Sequence, residues 1–505
     1  MKIKLLIAVT VIVAFFIGLL VGVKRSTAPS IIDASAGEGY RGGYDRASDE
    51  TLARVALEEA PASAVPGNTI AVRAGQSIQA AVKRALPGDT IRVYPGRYSE
   101  TVYIDKDDIR LLGVIQQGKR AMLDGEGKLN DAILYSGNNF VVENFEIANY
   151  KGNAIMGQAG NNFAIRNNVI RDSGVYGIFP QLGKNGVVEH NVVSGIEDAA
   201  IYIGMSDNVH VAHNDVFDSV AGIEIENSRH AIVENNYVHN NTGGILAFIT
   251  PGLPIKTTYD VIIRNNFVVD NNHKNFGAPG STVAGIPAGT GLLIMAADEV
   301  VIEGNIIAGH KTAGILITDH DNASNVGFDP DSDPNPDRLA ILDNTMLANG
   351  YDTIKEVKAL MLAQLSVTEP DIVAVGGGEG SCIINRHRYK TVGIADYGTC
   401  SFTHTDQVTS YLLDEPVPAR VITAAERGKI TYYGVCSGCH SYTGRLIGPS
   451  VQSIQALYQG DAEALASYIA QPVKKRKDFP EMPPQDYLGE QTMLAVARYM
   501  LAATN

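Results

Sequence analysis

Between residues 165 and 307 the chain repeats one short phrase. Ile165-Arg166-Asn167-Asn168-Val169-Ile170 is followed by Val188-Glu189-His190-Asn191-Val192-Val193 and by Val211-Ala212-His213-Asn214-Asp215-Val216. Val233-Glu234-Asn235-Asn236-Tyr237-Val238, Ile263-Arg264-Asn265-Asn266-Phe267-Val268 and Ile302-Glu303-Gly304-Asn305-Ile306-Ile307 continue it. The Asn steps are 23, 23, 22, 30 and 39 residues. A small residue followed by an aliphatic keeps the same beat at Ala154-Ile155, Gly177-Ile178, Ala200-Ile201, Gly222-Ile223, Gly244-Ile245, Gly291-Leu292 and Gly314-Ile315. Self-similarity at this period requires a stacked architecture. Each unit holds short apolar/polar alternations, which are strand signals. About 22 residues suffice for three short strands and their turns, so one unit is one coil of a parallel β-helix with a continuous apolar core. Asn tolerates the left-handed backbone of tight turns, and stacked Asn side chains hydrogen-bond from coil to coil. The regular Leu pattern of a leucine-rich repeat is missing.

A cap is expected ahead of the coils. Gln76 to Leu86 has helical spacing, Pro87-Gly88-Asp89 breaks it, and Thr90 to Gly96 reads as the first strand. An open sheet end needs such a cover. On these residues, 69–349 resembles the pectin-lyase-like right-handed β-helix proteins, in particular periplasmic repeat proteins related to mannuronan C5-epimerases and to the copper-accessory protein of nitrous-oxide reductase. The resemblance implies the fold. For activity it implies proton abstraction beside a uronate carboxylate, which needs a base, an acid and a group that neutralises the carboxylate. The epimerases carry Asp-Pro-His-Asp; the nearest match here, Asp319-His320-Asp321, lacks the Pro. It reads either as catalytic or as a solvated acidic loop.

Other coil residues leave two readings open. His190 and His213 occupy equivalent positions and should stack, as a turn ladder or as a metal-binding pair. Glu224 and Glu226 alternate with Ile223 and Ile225 and should point outward, toward a sugar or cation or simply toward solvent. The same alternation sends Leu246, Phe248, Leu293, Met295 and Leu316 outward. Such a stripe needs a cover. Three insertions, Ile249 to Asp260, Asn271 to Thr290 and Thr318 to Arg338, or a later domain, are expected to supply it.

A different chemistry appears at Cys436-Ser437-Gly438-Cys439-His440. Two thiols at this spacing, with His after the second, form the attachment signature of c-type haem. A zinc site would need further ligands nearby, and none is obvious. The flanking sequence, 424–505, resembles class I cytochrome c. Gly428 and Tyr432 stand eight and four residues before Cys436, where that family has Gly and an aromatic on its first helix. Val496 and Tyr499 match the contact pair of its last helix, and Ile447-Gly448-Pro449 matches the element whose Pro carbonyl orients the ligand His. The resemblance implies one covalent haem c on Cys436 and Cys439, with His440 and Met482 (in Phe479-Pro480-Glu481-Met482-Pro483-Pro484) as axial ligands and Pro449 behind the His. Met493 and Met500 fall on the predicted last helix as core residues. Lys474-Lys475-Arg476-Lys477 is either a steering patch for an acidic redox partner or a solvated turn.

The remaining sequence supplies context. Net charge is −14, which argues against a nucleic-acid partner. Of the four Cys, two are assigned to haem; Cys382 and Cys400 remain, as a disulfide or as two reduced thiols. Haem attachment takes place outside the bacterial cytoplasm, where disulfides persist. Lys2 and Lys4 precede an uncharged run from Leu5 to Val23, closed by Lys24-Arg25. That length suits an uncleaved inner-membrane anchor over 1–25, although Ala34-Ser35-Ala36 offers a cleavage pattern. Residues 26–68 read as a tether, and 350–423 as a connecting segment of unassigned fold in which Gly376-Gly377-Gly378 is a turn. The expectation is therefore mainly β: a right-handed parallel β-helix followed by a small all-α cytochrome c domain. It would be a periplasmic, membrane-tethered electron carrier serving a redox partner, with the β-helix recognising polysaccharide or protein. A uronate epimerase or lyase with an appended cytochrome, or a copper-handling maturation factor, are the alternatives.

Overall fold

The computed structural model describes residues 67–418 and 423–504, apart from 438, 445–447 and 480. The expected anchor, the cleavage pattern and nearly all of the tether lie outside the described residues, as do Gly438, Ile447 and Pro480. Among the described residues no helix is long and apolar enough to cross a membrane.

Short strands stack into three parallel sheets of twelve, ten and eleven strands, and every inter-strand pairing joins one coil to the next. The small-aliphatic motif forms one column of the eleven-strand sheet: Ile155 pairs with Ile178, then Ile201, Ile223, Ile245, Leu292 and Ile315. All seven are fully buried inside the coil. Burying each stabilises the stack by roughly 1.5–3 kcal/mol.

The repeated Asn is a turn device. The residue before it takes a left-handed backbone: His190 and His213 both have φ of 56°, and Asn235 the same. The Asn side chain then bonds into the next coil. Asn191 N donates to Asn214 Oδ1 at 3.0 Å and Asn214 N to Asn236 Oδ1 at 2.9 Å. The ladder continues through Asn266 and Asn305 to Asn344, whose amide donates to the Tyr389 hydroxyl. The His190 and His213 rings lie 4.9 Å apart and nearly parallel, as the turn ladder requires.

The cap is a helix, α1 (Ile78–Arg84), capped by Ser77, but the first strand is Thr69–Val72, ahead of it. At the other end the stack runs past Asn349. After helix α2 (Lys355–Ala363), the strands Ile372–Val375, Cys382–Ile383 and Thr391–Val392 join the existing sheets. Cys382 and Cys400 are joined by a disulfide.

From there the chain turns back as an extended strap. Thr405 N and Oγ1 donate to Glu303, and Arg264 donates to Thr405 O. The Tyr411 hydroxyl donates to Asp260, and Asn208 Nδ2 to Tyr411 O at 2.7 Å. Leu413 N reaches Asn185 Oδ1, and Val417 exchanges two bonds with Asn162. The strap thus descends the stack coil by coil and delivers the last eighty or so residues to its early coils. Those residues form helices α3 (Ala424–Thr431), α4 (Val451–Tyr458), α5 (Ala462–Ala470) and α6 (Glu490–Ala502). A π-type turn, Tyr432–Cys436, extends α3. Thr423 and Glu426 close a capping box at its start.

Candidate functional site

The outward face of the eleven-strand sheet is almost entirely covered. One outward row runs Tyr103, Leu134, Met156, Phe179, Tyr202, Glu224, Leu246, Leu293 and Leu316 across neighbouring strands. Val283 and Ile286 from the second insertion, Ala323 and Val326 from the third, and Leu360 and Met361 of α2 pack on its later coils. Tyr487, from the C-terminal helical region, packs on the same cluster and also on the helical region's own core. The turn Asp486–Leu488 meets Val102–Ile104, and the Tyr487 hydroxyl donates to the buried Asp131 at 3.3 Å.

This cover corrects the solvated reading of Glu224 and Glu226. Both point outward, yet they are only 2% and 7% exposed. Glu224 Oε1 has no hydrogen-bond partner. Burial raises the pKa of both, and the neighbouring charges of Asp198 and Glu226 push Glu224 further in the same direction. Burial and then Glu226 push Asp198 up to about 8. The Tyr202 phenol lies beside Glu226. Tyr176, Phe179 and Tyr202 form a packed aromatic trio with ring centroids 4.7, 4.8 and 4.2 Å apart. Asp198, Tyr176 and Tyr202 were not singled out from sequence, although Tyr202 stands in its repeat where Glu224 stands in the next.

The helical region brings Cys436, Cys439, His440 and Pro449 together, and Met482 packs against the core that includes Cys436. Helices α3 and α6 cross at Gly428, where an added Cβ would lie 2.3 Å from Ala495 O. Val496 is fully buried there, and Tyr499 flanks the crossing. His440 N donates to Cys436 O at 2.8 Å, closing the loop between the two thiols. Neither thiol is in a disulfide. Burial, with help from Cys439, pushes the Cys436 thiol up to about 12, so it is neutral and protonated at ordinary pH. His440 Nδ1 is 2.8 Å from Pro449 O. A carbonyl only accepts, so Nδ1 carries the proton and Nε2 keeps its lone pair. A Cβ on Gly448 would fall 2.3 Å from His440 Cε1, so the ring lies against bare backbone. The Tyr432 hydroxyl donates to His440 O at 2.7 Å. Met482 is half-buried against the apolar core that includes Cys436, whereas Met493 and Met500 lie within that core.

The other sequence candidates are put to structural use. Asp319 accepts from Asn322 N and Nδ2, and His320 Nε2 lies 2.9 Å from Ile249 O, so both pin the third insertion. Lys474 to Lys477 are exposed. Lys475 Nζ sits over the Tyr468 and Tyr458 rings at 4.4 and 4.9 Å, and Arg476 pairs with Asp478. Among the described residues no group of three or more His, Cys, Asp or Glu is arranged to hold a bare metal ion.

Comparison with known proteins places the stack in a class. The family model described as "Right handed beta helix region" matches residues 128–249. The coils are therefore a right-handed parallel β-helix, followed by a small region of several helices. No curated protein matches the sequence. Among solved structures, the Azotobacter vinelandii mannuronan C-5 epimerase AlgE4 A-module is 13% identical over 63% of this chain and 84% of its own, with a TM-score of 0.39. DFA-IIIase from Arthrobacter chlorophenolicus A6 in complex with GF2 is 14% identical, covering 65% and 93%, at 0.39. Alginate lyase from Paenibacillus sp. str. FPU-7 is 14% identical, covering 57% and 99%, at 0.38.

Proposed function

We propose that the helical region carries one covalent haem c and that the protein is an exported monohaem electron carrier built on a β-helix. The observation that supports this most is the seating of His440, with Nδ1 on Pro449 O and the ring flat on Gly448. Such a bond fixes the tautomer and orientation of a metal-ligating imidazole. Cys436 and Cys439 would supply two sulfurs for thioether links, and His440 Nε2 and the Met482 thioether would supply the donors to the haem iron. Bound there, the haem supplies one-electron chemistry, and a thioether donor raises its potential. Tyr432 fixes the His440 backbone, and the α3–α6 crossing at Gly428 holds the loop's base. Export would follow from where haem is attached, the uncharged run from Leu5 to Val23 would serve as an inner-membrane anchor over 1–25, and a redox partner protein would exchange the electron. The β-helix serves as a recognition surface for polysaccharide or protein.

The test is production of the full chain in cells competent for cytochrome maturation. A Soret band and a mass gain of one porphyrin are expected, both lost in Cys436→Ala/Cys439→Ala. A colourless protein of unmodified mass refutes the reading.

A second reading, a polysaccharide-modifying β-helix with an appended cytochrome, draws support from the buried Glu224 and Glu226 and the half-buried Asp198 beside Tyr202. Carboxyls held protonated near neutral pH are suited to general-acid work. Turnover of alginate or pectin, abolished by Glu224→Gln, would favour it; no turnover of either polymer removes it.

A further inference from the structure

The far end of the stack holds a cavity that the proposed function does not use. The twelve-strand sheet ends on Cys382–Ile383 and the eleven-strand sheet on Thr391–Val392. Residues of both strands line an open cleft of about 660 Å³. Arg386, His387, Thr391 and Thr399 supply its polar side chains, and Ile383 and Tyr389 its apolar ones. No carboxylate lines it, in a chain with 55 acidic residues against 41 Lys and Arg.

The walls of the cleft are fixed in place. Asn385 takes a left-handed backbone, φ 50°, and starts the turn Arg386–Arg388. Asn385 Nδ2 and Arg388 Nη1 both donate to Asp343 Oδ1, at 3.0 and 2.6 Å. The Tyr389 hydroxyl accepts from Asn344 N at 3.0 Å. The Cys382–Cys400 disulfide joins the chain neighbours of Ile383 and Thr399. Arg388 is thus committed to Asp343, and Asp371 already accepts from Lys390 N at 3.0 Å. Arg386 and His387 are left over: among the described residues neither side chain has an ion-pair or hydrogen-bond partner.

We infer that this cleft binds a small organic oxyanion, a phosphate or carboxylate group carried on a hydroxyl-bearing body. The Arg386 guanidinium presents a planar fork that matches two oxygens of such a group. An imidazole offers at least one N–H donor in either protonation state, so His387 adds a second contact. The Thr391 and Thr399 hydroxyls donate or accept, which suits the hydroxyls of the body. Size favours a ligand larger than a bare ion. At about 30 Å³ per water molecule the cleft has room for roughly twenty waters, far more than free phosphate displaces. Fixed walls reduce the ordering that binding would otherwise cost.

The experiment is isothermal titration calorimetry of the full chain with glucose 6-phosphate, glucuronate, inorganic phosphate and glucose. The two anionic sugars should bind at least tenfold more tightly than inorganic phosphate, and glucose should give no heat. Arg386→Gln should weaken both anionic sugars tenfold or more. Thr391→Val should weaken them but leave inorganic phosphate unchanged. Lys390→Gln, exposed and outside the lining, should bind as wild type does. Matching melting curves establish that the variants are folded. Inorganic phosphate binding as tightly as the sugars assigns the cleft to the free ion and overturns the organic ligand. Unchanged affinity in Arg386→Gln, or no binding of any probe at millimolar concentration, overturns the site itself. Each of these results leaves the haem proposal untouched.

Discussion

Replacing Asn214 by Ala tests whether the asparagine ladder holds the coils together. Asn214 is 2% exposed and its neighbour Asn191 is fully buried. Asn214 Oδ1 accepts from Asn191 N and from Asn191 Nδ2, both at 3.0 Å. Its Nδ2 donates to Val188 O, Ala212 O and Asn236 Oδ1 at 3.0, 3.0 and 2.9 Å. Alanine strands the Asn191 backbone N–H where water does not reach, at about 1–3 kcal/mol, and loses the other bonds at about 0.5–1.5 kcal/mol net. Asn191 Nδ2 keeps Ile165 O and Glu189 O, which limits the damage. The total is about 2–4 kcal/mol, a fall in Tm of roughly 2–4 °C for a cooperative unit of this size. Thermal unfolding of the full chain by circular dichroism gives the global value, and hydrogen exchange at the Asn191 amide gives the local one. Asn68→Ala, at an exposed Asn outside the ladder, is the control and should stay within about 0.5 kcal/mol of wild type. An Asn214→Ala loss no larger than the control's, or an unchanged Asn191 exchange rate, refutes the argument.

Three further outcomes are expected. On the proposed haem reading, Gly448→Ala should push the His440 ring off Pro449 O and weaken its bond to the iron by about 10–100-fold, seen as easier displacement by added imidazole; wild-type resistance would show that the ring is not seated there. Leu293→Asp places a charge on a site only 7% exposed beneath the insertions and should cost about 3 kcal/mol or more, measured by urea unfolding; an unchanged midpoint would mean that the stripe is not covered. Lys256, followed by the Asp331 and Gly252 amides, holds the Asp329 carboxyl down at about 2, clamping the first insertion to the third. The folded-state value is depressed, so this stabilisation is complete above about pH 4 and lost as pH falls through 2. Hydrogen exchange in 249–258 and 318–338 should accelerate over that window, and Asp329→Asn should already exchange fast at neutral pH.

The ladder Asn, the core column beginning at Ile155 and the seats of His190 and His213 were all legible in the sequence, because a β-helix coil is specified by its own period. Asn344 and Tyr389 were missed, since the insertion ahead of Asn344 and the helix ahead of Tyr389 break that period. The motif of Cys436, Cys439 and His440 is visible in the sequence because its spacing is local. The carboxylates were read wrongly. Alternation correctly sent Glu224 and Glu226 outward, but outward is not the same as exposed.

Sequence alone determined that this chain stacks coils with an asparagine turn and carries a thiol–thiol–imidazole loop, since both depend on neighbours within about 23 residues. Only the folded chain decided what lies over the outer face of the eleven-strand sheet. The strap from Cys400 back to Val417 carries the helical region down to Tyr103 and Asp131, and the insertions close the later coils. Burial of Glu224 and Glu226 is a product of those long-range contacts, and with it goes the shift in their proton affinity, because desolvation depends on which distant segments come to rest above a side chain.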